Sequence, residues 1–125
     1  MYAYEIPNLR FSLPAGGAVA RCRFVSVAGD KAVQATAATE VIGASMNEVN
    51  AEELAKNDRI VEIADGIVIV EAGGAITSGA AVYADAAGKA TATKGTANIA
   101  GVAITAATGA GQLIAVKIKK EGGNV

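Results

Sequence analysis

Two runs of β-branched residues, Ile60-Val61-Glu62-Ile63 and Ile67-Val68-Ile69-Val70, flank Asp65-Gly66 near the middle of this 125-residue chain. Branched side chains are stiff and pack well on a pleated surface, so both runs read as strands. Asp-Gly between two such runs is a strong hairpin signal, because a type I′ turn needs positive φ at both central residues. The sequence therefore predicts a hairpin over residues 59–71 with Asp65-Gly66 at an exposed tip. Gly73-Gly74 breaks its second arm.

The stretches on either side of this hairpin resemble each other. Ala15-Gly16-Gly17-Ala18 recurs as Ala72-Gly73-Gly74-Ala75, and Phe24-Val25 aligns with Ala81-Val82. Lys31 pairs with Lys89, Val41-Ile42-Gly43 with Ile99-Ala100-Gly101, and Ile60 to Ile63 with Leu113 to Val116. Each half reads as a Gly-Gly turn, a strand, a tight turn, a weak strand, a Gly-bearing strand, a loop and a strong strand. Hydrophobic residues make up 52% of the chain, yet aromatics are only 4% and Trp is absent. Neither half has the bulky side chains for its own core, so the two are expected to share one. Strands at short spacing with turn residues between them point to an all-β fold, a compact β-sandwich or barrel-like domain. The expected organisation is an extended N-terminal arm over 1–14, a β domain over 15–120 and a flexible tail over 121–125. Within the domain the pseudo-repeats run about 15–71 and 72–120.

The N-terminal segment alternates as Tyr2-Ala3-Tyr4-Glu5-Ile6 and again as Leu9-Arg10-Phe11-Ser12-Leu13, with Pro7 and Pro14 closing the two runs. Proline in this setting fits an edge strand or an extended arm. The segment holds much of a sparse aromatic supply, which serves either to cap a core or to anchor on a partner. In the loop over 46–57, Ser45 to Glu48 and Asn50 to Glu53 both match the capping-box spacing, with room for about one helical turn.

Groups that carry chemistry are scarce. Without histidine there is no imidazole base and no His-ligated metal, and the single cysteine, Cys22, excludes an internal disulfide and thiolate metal clusters. Cys22 reads as an inert thiol in a strand-like run. No serine sits in a nucleophile motif, and Thr108-Gly109-Ala110-Gly111 precedes a strand, where a phosphate loop would precede a helix. Glu52-Glu53 and the Asp58/Glu62 pair lack metal-loop spacing and read as solvating side chains. No catalytic residue, cofactor or metal site is expected, and no small-molecule substrate.

Charge is uneven. Residues 40–71 carry eight acids against Lys56 and Arg59, whereas 89–120 carry five lysines and no acid. This suits contacts between copies or docking on a charged protein surface, although two ordinary solvated faces would look the same. Lys117, Lys119 and Lys120 lack interleaved aromatics, so nucleic acid is not an expected partner. Apolar runs are all short, so no membrane span or signal peptide is visible, and a soluble product made in the cytoplasm is expected.

Three phrases carry a family resemblance. They are Gly79 to Thr91 with its Val82-Tyr83 and Asp85-x-x-Gly88, Ile99-Ala100-Gly101-Val102-Ala103, and Gly109 to Ile118. In order and spacing they are similar to the capsid cement, or head decoration, proteins of tailed bacteriophages, over about Ala15 to Lys120. Asp65-Gly66-Ile67-Val68 resembles the central strand of that family. Departures are Ala100 at a position usually glycine and the enlarged acidic loop at 46–57. The resemblance implies a non-enzymatic virion protein that binds the outside of the head as a homotrimer at three-fold and quasi-three-fold positions. Its implied partners are the major capsid protein and itself. The N-terminal pattern then makes Tyr2, Tyr4, Ile6, Leu9 and Phe11 the expected capsid or subunit anchors, pairing strand to strand with a partner edge. A bacterial surface or carbohydrate-binding β module, and a phage tail or baseplate subunit, are the alternative readings.

Overall fold

The computed structural model describes residues 6–36, 39–55, 59–94 and 99–119, with residues 6–9 described by their backbone. The elements in order are β1 (Ile6–Pro14), β2 (Phe24–Ala28), β3 (Lys31–Gln34), β4 (Gly43–Ser45), α1 (Ala51–Leu54), β5 (Ile60–Glu71), β6 (Ala81–Ala84), β7 (Ala90–Thr91), β8 (Ile99–Ala103) and β9 (Leu113–Ile118). The strands form one antiparallel sheet in the order β3-β2-β4-β5-β9-β8-β6-β7, with β1 also paired to β5. The sheet curls into a half-barrel, and the chain is all-β as its alternation required.

The expected hairpin is absent, and this corrects the reading of Asp65-Gly66. Residues 60 to 71 are one strand of 12 residues, and Gly66 is buried inside it. Gly66 does adopt a positive φ of 114°, but it faces a register shift in β1 between Pro7 and Leu9. The Asp-Gly step thus supplies a local irregularity within a strand pair, as at a β-bulge, where the sequence had pointed to a chain reversal. The physical reason lies in burial. Val61 and Ile63 are buried in one hydrophobic cluster, with Val19, Val25 and Val49. Ala64, Val68 and Val70 are buried in another, with Phe24, Val82, Ile114 and Val116. Successive side chains of a strand point to opposite faces, so β5 is covered on one face in its first half and on the other in its second. Folding back at Asp65 would pull these residues away from the two clusters, forfeiting roughly 2 kcal/mol per large side chain. Burial over the whole strand outweighs a two-residue turn preference.

The pairings around β5 recur. Leu13↔Val61 and Pro14↔Ile60 between β1 and β5 have the register of Val70↔Ile114 and Glu71↔Leu113 between β5 and β9. Ala44↔Ala64 and Ser45↔Ile63 are matched by Val102↔Lys117 and Ala103↔Val116. Isolated bridges behave likewise: Ala15↔Ala32 and Val19↔Val49 correspond to Ala72↔Ala90 and Ile76↔Ala107. β5 thus pairs with β1 and β4 through its first half and with β9 through its second. Gly43 and Gly101 hold equivalent places, and a Cβ on either would run into the facing carbonyl oxygen, of Ala64 and Lys117 respectively.

The loop between β4 and β5 contains the single turn α1, capped by Asn50, whose side chain accepts from Glu53 N while Glu53 reaches back to Asn50 N. The other capping-box match does not cap a helix. Buried Ser45 donates its hydroxyl to the Ala20 carbonyl at 2.6 Å and accepts from Arg23 N at 3.1 Å. Asn47 ties the loop to β5, donating to Ile60 O at 3.1 Å and accepting from Glu62 N at 2.8 Å.

Candidate functional site

β1 carries the described part of the expected anchor segment. Tyr2 and Tyr4 lie outside the described residues. Ile6 and Leu9 pair through their backbone with Ile67 and Asp65, and Phe11 pairs with Ile63. Phe11 and Leu13 are half-buried and pack on the cluster holding Val61 and Ile63. Residues 6 to 14 thus lie along β5 as a strand of the sheet, and one of the expected anchors, Phe11, faces the chain's own core.

The outer edge of β1 has a defined chemistry. Ala15 N donates to Arg59 O at 3.0 Å, so every second residue back from Ala15 faces β5 and the alternate ones, Pro14, Ser12 and Arg10, face outward. Arg10, Ser12 and Pro14 are exposed. Pro14 has no N–H to offer, which blunts this edge against indiscriminate pairing.

Where β5 ends, three distant residues converge. Arg23 Nη2 lies 3.0 Å from Glu71 Oε1, and Lys89 Nζ lies 3.2 Å from Glu71 Oε2. The hydrogen bond from Lys89 holds the Glu71 carboxyl below its usual pKa; burial opposes this, and Arg23 adds to the depression. The network ties the start of β2, the end of β5 and the turn after β6. No sequence spacing could reveal it, since the partners come from separate elements. It also joins a lysine of the basic segment to an acid of the acidic one, so the charge blocks partly neutralise each other within one molecule.

A cleft of about 460 Å³ opens beside this network, lined by Arg21, Cys22, Ser45, Met46, Ile69, Glu71 and Leu113. Leu113 is 53% exposed and is one of three large hydrophobic side chains, with Val27 and Ile60, that stand out in water among the described residues. A smaller cleft of about 320 Å³ lies between Pro14, Gly16, Lys31, Leu54 and Arg59. In the larger cleft the Glu71 carboxylate is held by Arg23 and Lys89 and the Ser45 hydroxyl by the Ala20 carbonyl, and among the described residues no cluster of His, Cys, Asp or Glu could hold a metal ion. No helix among the described residues is long and apolar enough to cross a membrane.

Comparison with known proteins supplies the fold neighbour and the family. No curated protein matches the chain. Among solved structures, the crystal structure of the head fiber gp8.5 N base in bacteriophage phi29 is similar, with a TM-score of 0.69 and 23% identity over 89% of this chain and 93% of that one. At that identity the likeness establishes the shared fold. The family model described as structural cement protein (E217 gp24/Pam3 gp6) matches residues 5–119, nearly the whole chain. The chain belongs to the phage structural cement protein family, and its role is structural and non-enzymatic.

Proposed function

We propose that this cement protein is made in the host cytoplasm and binds the outside of the phage head as a homotrimer at three-fold and quasi-three-fold positions. There it clamps neighbouring major capsid proteins and stabilises the expanded shell. The observation that carries this reading is the family match across residues 5–119. The exposed apolar side chains of Val27, Ile60 and Leu113 offer contact points on such a surface. Many weak contacts repeated over a lattice resist internal pressure through multivalency, so each site needs only modest affinity.

The anchors in this reading are the residues that lead into β1, with Tyr2 and Tyr4 in contact with capsid or a neighbouring subunit. Ile6 and Leu9 extend the anchor set along β1, and Phe11, packed on the cluster of Val61 and Ile63, holds β1 on β5. The organisation behind it is a body of two pseudo-repeats, about 15–71 and 72–120, joined through β5. Removing residues 2–13 would strip β1 from β5 and Phe11 from its cluster, so the sharper test is smaller. Tyr2→Ala with Tyr4→Ala is expected to keep the melting temperature and lower the fraction that sediments with expanded shells. Undiminished sedimentation would remove the tyrosines from the contact. Light scattering after size exclusion is expected to give the mass of three chains, and a monomer would count against three-fold cementing.

A further inference from the structure

The sheet buries one face of β6, β8 and β9 and leaves the other in contact with solvent. Val82, Ala103 and Val116 are buried in the cluster of Val68 and Val70, so their neighbours along each strand point the opposite way. Pairing lines these neighbours up across the sheet: Ile67 with Lys117, Lys117 with Val102, and Val102 with Ala81. Tyr83, paired with Ile99 and Thr91, continues the face. Ile67, Ala81, Tyr83, Ile99 and Val102 are half-buried, and Lys117 and Lys119 are exposed. The matching pair Ala44 and Ala64 is 1% and 0% exposed and packs in the same cluster as Val82 and Val116. One apolar row is thus covered from within the chain, whereas its counterpart keeps its solvent contact and carries lysine.

A second surface carries the opposite charge. Val61 and Ile63 are buried, so Ile60 and Glu62 share the other side of β5, beside their β1 partners Pro14 and Ser12. All four are exposed, Ile60 to 48%. Asn47 holds the backbone at Ile60 and Glu62, which brings the exposed Glu48 to the same stretch, while Arg10 lies further along β1. Among the described residues neither Glu62 nor Lys117 has an ion-pair partner.

We propose, resting on the homotrimer reading above, that these two surfaces meet between copies of the chain. The row of Ile67, Lys117 and Val102 packs against Pro14, Ile60 and Glu62 of the next copy, with Lys117 paired to Glu62. Charge selects this arrangement. A two-fold contact sets a surface against itself, which would gather the lysines at 117 and 119 of both copies, or the acids at 48 and 62. A closed ring of three needs two different and complementary surfaces on every copy. This chain has one basic and one acidic surface, each with apolar side chains to bury. Glu62 lies where β5 pairs with β1, and Lys117 lies where β9 pairs with the second half of β5 and with β8, so one copy engages two neighbours at once.

The test uses the full chain with Lys117→Glu and Glu62→Lys, singly and together. Mass is read by light scattering after size exclusion, and folding by circular dichroism. Each single reversal sets like charges against each other and is expected to weaken assembly about tenfold or more, shifting the mass from three chains towards one. The double variant restores the pair in reverse and is expected to recover the mass of three chains, which a merely structural effect of either substitution would not do. Should either reversal fail to fold, Lys117→Gln and Glu62→Gln replace them. Weakening by either one, with no further weakening by both, then carries the pairing, and additive losses overturn it. Folded single reversals that keep the mass of three chains overturn the proposal and leave the homotrimer reading standing. So does a double variant that remains a single chain. If the unsubstituted protein has the mass of one chain, the homotrimer reading fails and this contact with it.

Discussion

Gly43 and Gly101 offer a sharp test of the recurring strand registers. Neither has positive φ among the residues with that conformation, so alanine is compatible with the backbone at both. On conformational grounds alone Gly→Ala would stabilise the protein by about 0.4–1 kcal/mol, by restricting the unfolded chain. The structure predicts the opposite sign. A Cβ on Gly43 would lie 2.5 Å from the Ala64 carbonyl oxygen and 2.7 Å from Ile63 Cγ2, and one on Gly101 would strike the Lys117 carbonyl oxygen and lie 2.9 Å from Val116 Cγ1. The obstructing oxygens belong to the backbone of β5 and β9, which cannot yield without disturbing the pairing. Overpacking of this kind costs about 1–3 kcal/mol. Each alanine should therefore destabilise by about 1–2 kcal/mol net, a fall of roughly 3–8 °C in melting temperature for a domain of this size. Urea unfolding followed by circular dichroism measures it. Gly17→Ala and Gly109→Ala, whose Cβ atoms would meet nothing within 4 Å, are the matched controls. If Gly43→Ala or Gly101→Ala proves as stable as these controls, the close strand approach that defines the fold is wrong.

Three further outcomes are expected. Glu71→Gln should lower stability at pH 7 by about 1 kcal/mol or less, because its ion pairs are partly solvated. The folded carboxyl is depressed below its ordinary value of 4.5, so its contribution is present above that pH and is lost as pH falls through the folded pKa. The gap between wild type and variant in urea unfolding should close on acidification. Ser45→Ala should cost about 1 kcal/mol by leaving the half-buried Arg23 N–H and Ala20 C=O without their hydroxyl partner, read by the same unfolding midpoint. Asn47→Ala should cost about 1 kcal/mol and raise hydrogen exchange at Glu62, whose amide it holds.

How far the sequence was readable depends on the range of the interaction behind each feature. Alternation over residues 60–71 correctly marked strand, because period-two patterning is local. Asp65-Gly66 was misread because its turn preference is local, whereas the two clusters that hold β5 draw on residues far from it in sequence, from Ala15 in one and up to Val116 in the other. The Asn50 to Glu53 capping box was legible, its bonds spanning three residues. The same spacing at Ser45 was not informative, because burial against Ala20 and Arg23 claims its hydroxyl. Gly43 and Gly101 stood out as matched glycines, yet only strand register reveals the carbonyls they face. Arg23, Glu71 and Lys89 meet through tertiary packing, which no motif encodes. Family membership was readable because order and spacing of short phrases extend over most of the chain.

The central claim, that this cement protein decorates the outer surface of the head, is tested most directly by its position in a density map of the virion. The account predicts density fitting this half-barrel on the outside of the shell at three-fold and quasi-three-fold positions, with neighbouring capsid proteins beneath it. Density for the chain on the tail or baseplate, with the outer face of the head bare, would contradict it.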